Sequence, residues 1–414
     1  MSVFDQLVGQ GRVVEMLRTA ATDPDAMTHS WLLTGPPGSG RSIAARAFAA
    51  ALQCERADAP GCGECAACHT TMIGSHPDVR VVATNETFIR VDQARELALA
   101  AASRPVSGRW RVFIIEDADR LNEQAADALL KALEEPPPRT VWLLCAPTLD
   151  DLIVTVRSRC RHLRLGTPPV EAVAQLLITR DGIEPSMAHY AARAAQSHVG
   201  VAKRLATDEA ARGRRRRYTG IPVTLTSLGA ALEAARIVVD EAQASAQTVS
   251  GDDAANARAE LLRQLGADPA ARTQPPAVRA HLKQLDDDQK RVARRRQHDA
   301  IDAALTDLSS VYRDALVLGT GASVEAINAS ELDLVRSVAR AMSPEELLAA
   351  LEAISLARAR LTANGAPLLV MEAMKMEHTL KASADASIEA VHCDTDDMVQ
   401  PDQLLMAFVA SDAP

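Results

Sequence analysis

At 414 residues and 47% hydrophobic content, the chain is long enough for roughly two to four domains with real cores. Its net charge of −9 is concentrated near the end, where nine acidic residues against Lys375 and Lys381 give residues 371–414 a charge of −7. No apolar run reaches the roughly 18 residues of a membrane span; aromatics at 3% leave no base-stacking platform, and seven cysteines, four of them within 54–68, fit a metal pattern better than a disulfide framework.

Residues 1–10 include Asp5 and neither a basic nor an apolar run, which predicts a cytoplasmic chain. Short β-rich runs at 31–33, 79–82, 112–115, 141–145 and 162–165 alternate with helical patterns such as 42–52 and 122–133. Alternation of this kind predicts an α/β module, a largely parallel sheet with helices on both faces, over residues 1–168. Pro136, Pro137 and Pro138 stop one of those helices before the next strand.

Between the first strand and the first long helix stands Gly35-Pro-Pro-Gly38-Ser-Gly40-Arg41-Ser42, a phosphate loop whose amides and helix N-terminus would face an anion. The pattern has lysine where this chain has Arg41, and a planar guanidinium is bulkier between phosphates than a compact ammonium. Ser42 keeps the hydroxyl that such loops offer to magnesium. Glu116 and Asp117 follow a strand in the place of the acidic pair that holds magnesium and orients water, but in inverted order. Exchanging the longer and shorter carboxylates misplaces both groups, so the loop reads as a degenerate nucleotide site, with ATP and magnesium binding by this chain left open.

Cys54, Cys62, Cys65 and Cys68 are spaced C-x7-C-x2-C-x2-C, with Gly61 and Gly63 freeing the backbone between them. Four thiolates leave no open coordination position, so the expected ion is a structural zinc. Cys145, Cys160 and Cys393 read as packing residues.

Beyond residue 170 the strand signals end. A small helical domain is expected over 169–217 and an all-helical domain over 218–370, with a polar stretch at 245–280 reading as a flexible insertion or loosely packed helices. Basic runs at Arg212 with Arg214–217 and at Lys290, Arg291 and Arg294–296 read as solvated helix faces. Ile301, Ala304, Leu305, Leu308, Val311 and Ala315 keep helical spacing, and Ser343-Pro344-Glu345-Glu346 sets a capping box before another helix.

Taken with residues 4–10, Ile89-Arg-Val-Asp-Gln93, Leu129-Leu-Lys-Ala-Leu-Glu-Glu-Pro-Pro137 and Ser158-Arg159-Cys160, the loop and cysteines resemble the subunits of the bacterial DNA polymerase III clamp loader, an AAA+ family. Arg41 and the inverted Glu116-Asp117 depart from its ATP-hydrolysing gamma/tau type, whereas the cysteines and the Ser-Arg-Cys triplet remain, as in the delta-prime type. The resemblance implies an AAA+ module with lid and oligomerising collar, partnered by gamma/tau and delta subunits, acting on a sliding clamp and primer-template DNA. It implies a stator role, with Arg159 as a finger reaching ATP on a neighbouring subunit and Gly200–204 at the lid's sensor position. An active gamma/tau-type ATPase is the alternative.

Residues 371–414 are similar instead to the second half of a biotinyl carrier domain, with Lys375 in Met-Lys-Met at the place of the modified lysine. The first half of that barrel is absent, and 366–374 also reads as the start of a collar helix. Biotinylation of Lys375 is not expected, because half a barrel leaves open edges.

Overall fold

The computed structural model describes residues 2–56, 58–83, 88–265, 267, 275–362 and 365–373, together with the strands at 386–391 and 406–410. Among them no helix is long and apolar enough to cross a membrane.

The first module runs α1 (Gly11–Thr22), β1 (Ser30–Thr34), α2 (Arg41–Gln53), α3 (Ala66–Met72), β2 (Val79–Val82), α4 (Val91–Ala101), β3 (Arg111–Ile115), α5 (Glu123–Glu134), β4 (Thr140–Ala146), α6 (Val154–Arg157) and β5 (Arg161–Arg164). Its five strands are all parallel in the order β2-β3-β4-β1-β5. The central strands β1 and β4 are buried along their whole length, as continuous apolar runs in a doubly covered sheet should be. Edge strand β5 instead exposes Arg161, His162 and Arg164, which blunts it against further pairing.

Alternation along each strand divides the core. Trp31, Leu33, Ile114 and Leu143 pack with Phe48 and the alanines of α2, whereas Leu32, Phe113, Ile115 and Trp142 pack with α4 and α5. Trp31 meets Phe48 edge-on at 5.3 Å on one face, and Phe113 stacks on Trp142 at 4.6 Å on the other. Helix α5 starts where Asn122 Oδ1 accepts from Ala125 N at 2.8 Å, and it ends before the proline run.

Asp78, at the start of β2, was not singled out by sequence reasoning, yet it anchors the approach to β3. Its buried carboxylate accepts from the N–H groups of Val106, Ser107 and Gly108 at 2.7, 2.8 and 2.6 Å and pairs with Arg111 at 3.2 Å. Burial pushes this carboxyl up, but the three N–H donors prevail and hold it at about 2, below the ordinary 3.8. A folded value below the unfolded one stabilises above about pH 4, and the gain is lost as pH falls toward 2. Asp78→Ala should therefore cost about 3 kcal/mol at neutral pH and much less near pH 2. Trp31, Trp110 and Trp142, the chain's three tryptophans, all lie in this module, so denaturant titration by their fluorescence reads it directly. A cost below about 1 kcal/mol at neutral pH would show that the loop does not depend on Asp78.

Four helices follow: α7 (Val170–Asp181), α8 (Pro185–Ala194), α9 (Val199–Thr207) and α10 (Glu209–Thr224). An alanine-rich core holds α7 to α9 together. Helix α10 passes without a break through the boundary expected at 217/218, because its buried face is already committed to the next domain. Arg215, 2% exposed, pairs with Asp307 at 3.2 Å and donates to Asn328 Oδ1 at 2.6 Å, and Thr219 donates to Glu331 at 2.8 Å. Arg216 and Arg217 keep the expected solvated face, and the run also makes ion pairs along it: Arg212 and Arg216 with Glu209, Arg214 with Asp208 and Arg217 with Glu241.

The collar consists of α11 (Leu228–Gln264), α12 (Pro276–Thr320), α13 (Leu332–Ala341), α14 (Pro344–Thr362) and α15 (Pro367–Ala373). Ile301, Leu305, Leu308 and Val311 point into its core as their spacing predicted, and the capping box forms, with Ser343 Oγ accepting from Glu346 N at 3.2 Å. Helix α11 continues through 245–264, and Leu262 packs against Val278 and Leu282 of α12. Within 245–280, residues 245–264 and 276–280 are helical, which is the second of the two expected readings, and this apolar seam gives each helix a partner.

Of the two readings of 366–374, the helical one is observed: Val370 and Met371 of α15 are buried in the collar core. Farther on, β6 (Ala386–Val391) and β7 (Met406–Ala410) form an antiparallel pair, with a register shift between Ile388 and Ala390. Lys375 and Cys393 lie outside the described residues.

Candidate functional site

The sheet order brings the C-terminal ends of β1, β3 and β4 side by side, where an open α/β sheet offers its ligand crevice. From β1 the chain enters the phosphate loop. Gly38 and Gly40 take left-handed φ of 85° and 92°, which L side chains resist, and a Cβ on Gly38 would lie 2.6 Å from the His198 Cα. Gln10 fastens the loop to the strand-β5 exit: its Nε2 donates to Ser39 O at 3.2 Å and Gly166 O at 2.7 Å, and its Oε1 accepts from Gly166 N at 3.2 Å.

A cavity of about 270 Å³ opens over the loop, lined among others by Leu7, Val8, Gly40, Arg41, Ser42 and His198. Gly35 is not among its lining residues; it packs the loop against the strand-β5 exit, where a Cβ would lie 2.7 Å from Leu165 O. The opposite wall is the start of α9, so the N-termini of α2 and α9 face one space. His198 caps α9, its Nδ1 accepting from Val201 N at 3.4 Å. Burial holds its imidazole below the usual range, and the charges of Arg204 and Arg41 act in the same direction. Gln196 and Ser197, left-handed at φ 48° and 66°, deliver this histidine to the pocket at a cost in backbone strain. No sequence signal singled it out. Of the expected lid stretch, Gly200 lines the cavity.

Arg41 turns back on its own loop, its Nη1 donating to Gly35 O at 2.6 Å. Glu116 and Asp117 leave β3 toward the same region, and each meets an arginine. Arg46 Nε of α2 stands 2.9 Å from Glu116 Oε1, and both Nη atoms of Arg295, from α12, stand 3.4 Å from Asp117 Oδ2. Asp119 beside them has its carboxyl pushed up by burial and by Asp117, with Arg120 and Arg41 opposing.

Arg159 lies just past α6 and does not line this cavity. Its guanidinium donates to Thr155 O at 2.8 Å and pairs with Glu134 at 3.1 Å, and it is 29% exposed.

The four predicted cysteines come together: one sulfur from each lies within 4.8 Å of all the others. Cys54 ends α2, and Cys65 caps α3 with its sulfur accepting from Cys68 N. Gly61 and Gly63, at φ 82° and 75°, turn the chain between them. The sulfur of Cys62 accepts from Glu64 N and Cys65 N, each at 3.4 Å, and these donors lower its thiol to about 7. Burial instead pushes the Cys68 thiol up. Four converging sulfurs with amide donors to the thiolates suit a tetrahedral zinc, and these residues can hold one.

Comparison with known proteins places this geometry. Residues 9–169 match the family model described as DNA polymerase III, delta subunit. This segment is similar to DNA polymerase III subunits of the delta, delta' and tau kinds. The chain is 39% identical over 163 residues to the DNA polymerase III subunit delta' of Pseudomonas aeruginosa, an overlap of 39% of this chain and 50% of that protein. It is 34% identical over 157 residues to the delta' subunit of Haemophilus influenzae, covering 38% and 48% of the two chains. The tau subunit of Bacillus subtilis is 35% identical over 163 residues, covering 38% and 28%. The matched segment thus spans about half the length of the delta' relatives, or less in tau. Residues 362–408 match a second family model, described as biotin-requiring enzyme, which begins at the last residue of α14.

Proposed function

We propose that this chain is a delta-prime-type stator subunit of a bacterial DNA polymerase III clamp loader, with an AAA+ module whose own nucleotide site is degenerate. The observation that carries this reading is Arg41, folded back onto Gly35 O where a loop lysine would extend toward phosphate. The similarity to both delta' and tau subunits supports a place in the assembly, and the altered loop favours the non-hydrolysing member. The collar would join it to gamma/tau and delta subunits in the cytoplasm, and the ring would open a sliding clamp and set it on primer-template DNA. Arg159, outside its own pocket, would act on ATP held by a neighbour.

Nucleotide turnover by the purified chain tests this directly. No hydrolysis above background is expected, together with co-elution with a gamma/tau-type subunit. Robust hydrolysis abolished by Ser42→Ala would replace the stator with an active ATPase. The second family match favours a separate reading for the tail, a biotin carrier; streptavidin blotting after expression with biotin ligase should give no signal, and a band lost in Lys375→Ala would establish it.

A further inference from the structure

Magnesium is the ion a phosphate loop ordinarily engages, through the loop hydroxyl and an acidic residue at a strand end. The residues here do not fit it. Magnesium demands near-octahedral oxygen ligands at about 2.0–2.1 Å and gives up its waters reluctantly, so it needs carboxylates free to face it. Glu116 is held by Arg46 at 2.9 Å with its side chain 16% exposed, and Asp117 by Arg295 at 3.4 Å with 26% exposed. A divalent ion would have to displace two arginines from half-buried pairs and would meet their charges at close range.

The same pocket keeps what an anion needs. The N-termini of α2, thirteen residues long, and α9, nine residues long, converge on the cavity. Ser39, 2% exposed and lining the cavity, has a buried hydroxyl with no hydrogen-bond partner among the described residues. A buried hydroxyl left unpaired is costly, and an oxyanion in the loop would satisfy it.

We propose that the pocket is a metal-independent site for a phosphate group, in which Arg46 and Arg295 neutralise Glu116 and Asp117 in the place of a divalent cation. This rests on the degenerate-site reading above and gives that site a ligand class. The second pair also ties the first module to the collar, because Arg295 belongs to α12 and Asp117 follows β3.

The test is calorimetric titration of ATP, and separately of inorganic phosphate, into the full chain in EDTA and in magnesium chloride. ATP should bind in EDTA with an affinity within about twofold of that in magnesium. In the Arg46→Ala/Arg295→Ala chain the freed carboxylates should repel the phosphates, lowering the EDTA affinity at least about tenfold, with magnesium restoring it. Arg295→Lys, which keeps the charge, should retain binding in EDTA and so guards against misfolding as the cause. Binding of inorganic phosphate would assign recognition to the phosphate alone, and binding of ATP only would assign it to the nucleotide. A wild-type affinity that rises about tenfold with magnesium, or no binding of either probe in EDTA, would overturn the proposal. Co-elution of the same preparations with a gamma/tau-type subunit separates the two ideas, since assembly without metal-free binding sinks this inference and leaves the stator.

Discussion

A Cys65→Ser chain is expected to lose its zinc and to unfold locally around residues 54–72, the largest stability effect of any single substitution at a predicted site. A structural zinc contributes on the order of 10 kcal/mol to the folding of the segment that binds it. The insert has little secondary structure of its own. Helix α3 has seven residues, too short to stand alone in water, and in the insert between α2 and α3 Glu55, Arg56 and Glu64 are exposed. The consequences reach the pocket by a traceable route. Val3 N donates to Gly61 O at 2.9 Å and Ser2 Oγ does so at 3.1 Å, and a Cβ on Gly61 would lie 2.8 Å from Val3, so the N-terminal turn is laid directly on the insert. That turn leads into Leu7 and Val8, which line the cavity, and Gln10, which fastens the loop. Metal analysis should give about one zinc per wild-type chain and none for Cys65→Ser, with rapid proteolysis inside the insert. A wild-type chain without metal whose insert resists protease would sink the zinc reading.

The parts of this fold written in short-range patterns were legible in the sequence. Five apolar runs became five strands within a residue or two, and the loop glycines and four cysteines sat where their spacing placed them, because each encodes its own geometry within a few residues. What escaped depends on partners far along the chain. Nothing near Asp78 announces that residues 106–108 will turn three N–H groups onto it, and a lone histidine such as His198 carries no pattern. Arg295 illustrates the limit best. It belongs to a basic run that reads as a solvated face, and only the packing of α12 brings it to Asp117, 178 positions away. The stretch at 366–374 was ambiguous for a different reason: an apolar segment ending in Met-Glu-Ala-Met suits both a helix and a strand, and burial of Val370 and Met371 in the collar decides for the helix.

Arg159→Ala should reduce ATP hydrolysis at the neighbouring site of a reconstituted loader while leaving assembly intact. A fully engaged arginine finger is worth roughly 10³–10⁵ in rate, and an effect toward the lower bound is expected for a site that also depends on clamp and DNA. The present geometry shows what engagement requires. The guanidinium rests on Glu134, whose side chain is 57% exposed, and an exposed pair of this kind contributes only about 0–1 kcal/mol. If Arg159 is such a finger, a neighbour's triphosphate, carrying several negative charges, would outcompete one solvated carboxylate, and Glu134 would hold it only loosely. Glu134→Gln should then leave the rate within about twofold of wild type, whereas Arg159→Lys should fail to restore it, because an ammonium lacks the planar fork that spans phosphate oxygens. The Glu134 side chain is 57% exposed, so Glu134→Gln should unfold with a wild-type midpoint. A loader containing Arg159→Ala that hydrolyses ATP at the wild-type rate, with all subunits present, would remove Arg159 from the mechanism and leave the chain a role in assembly alone.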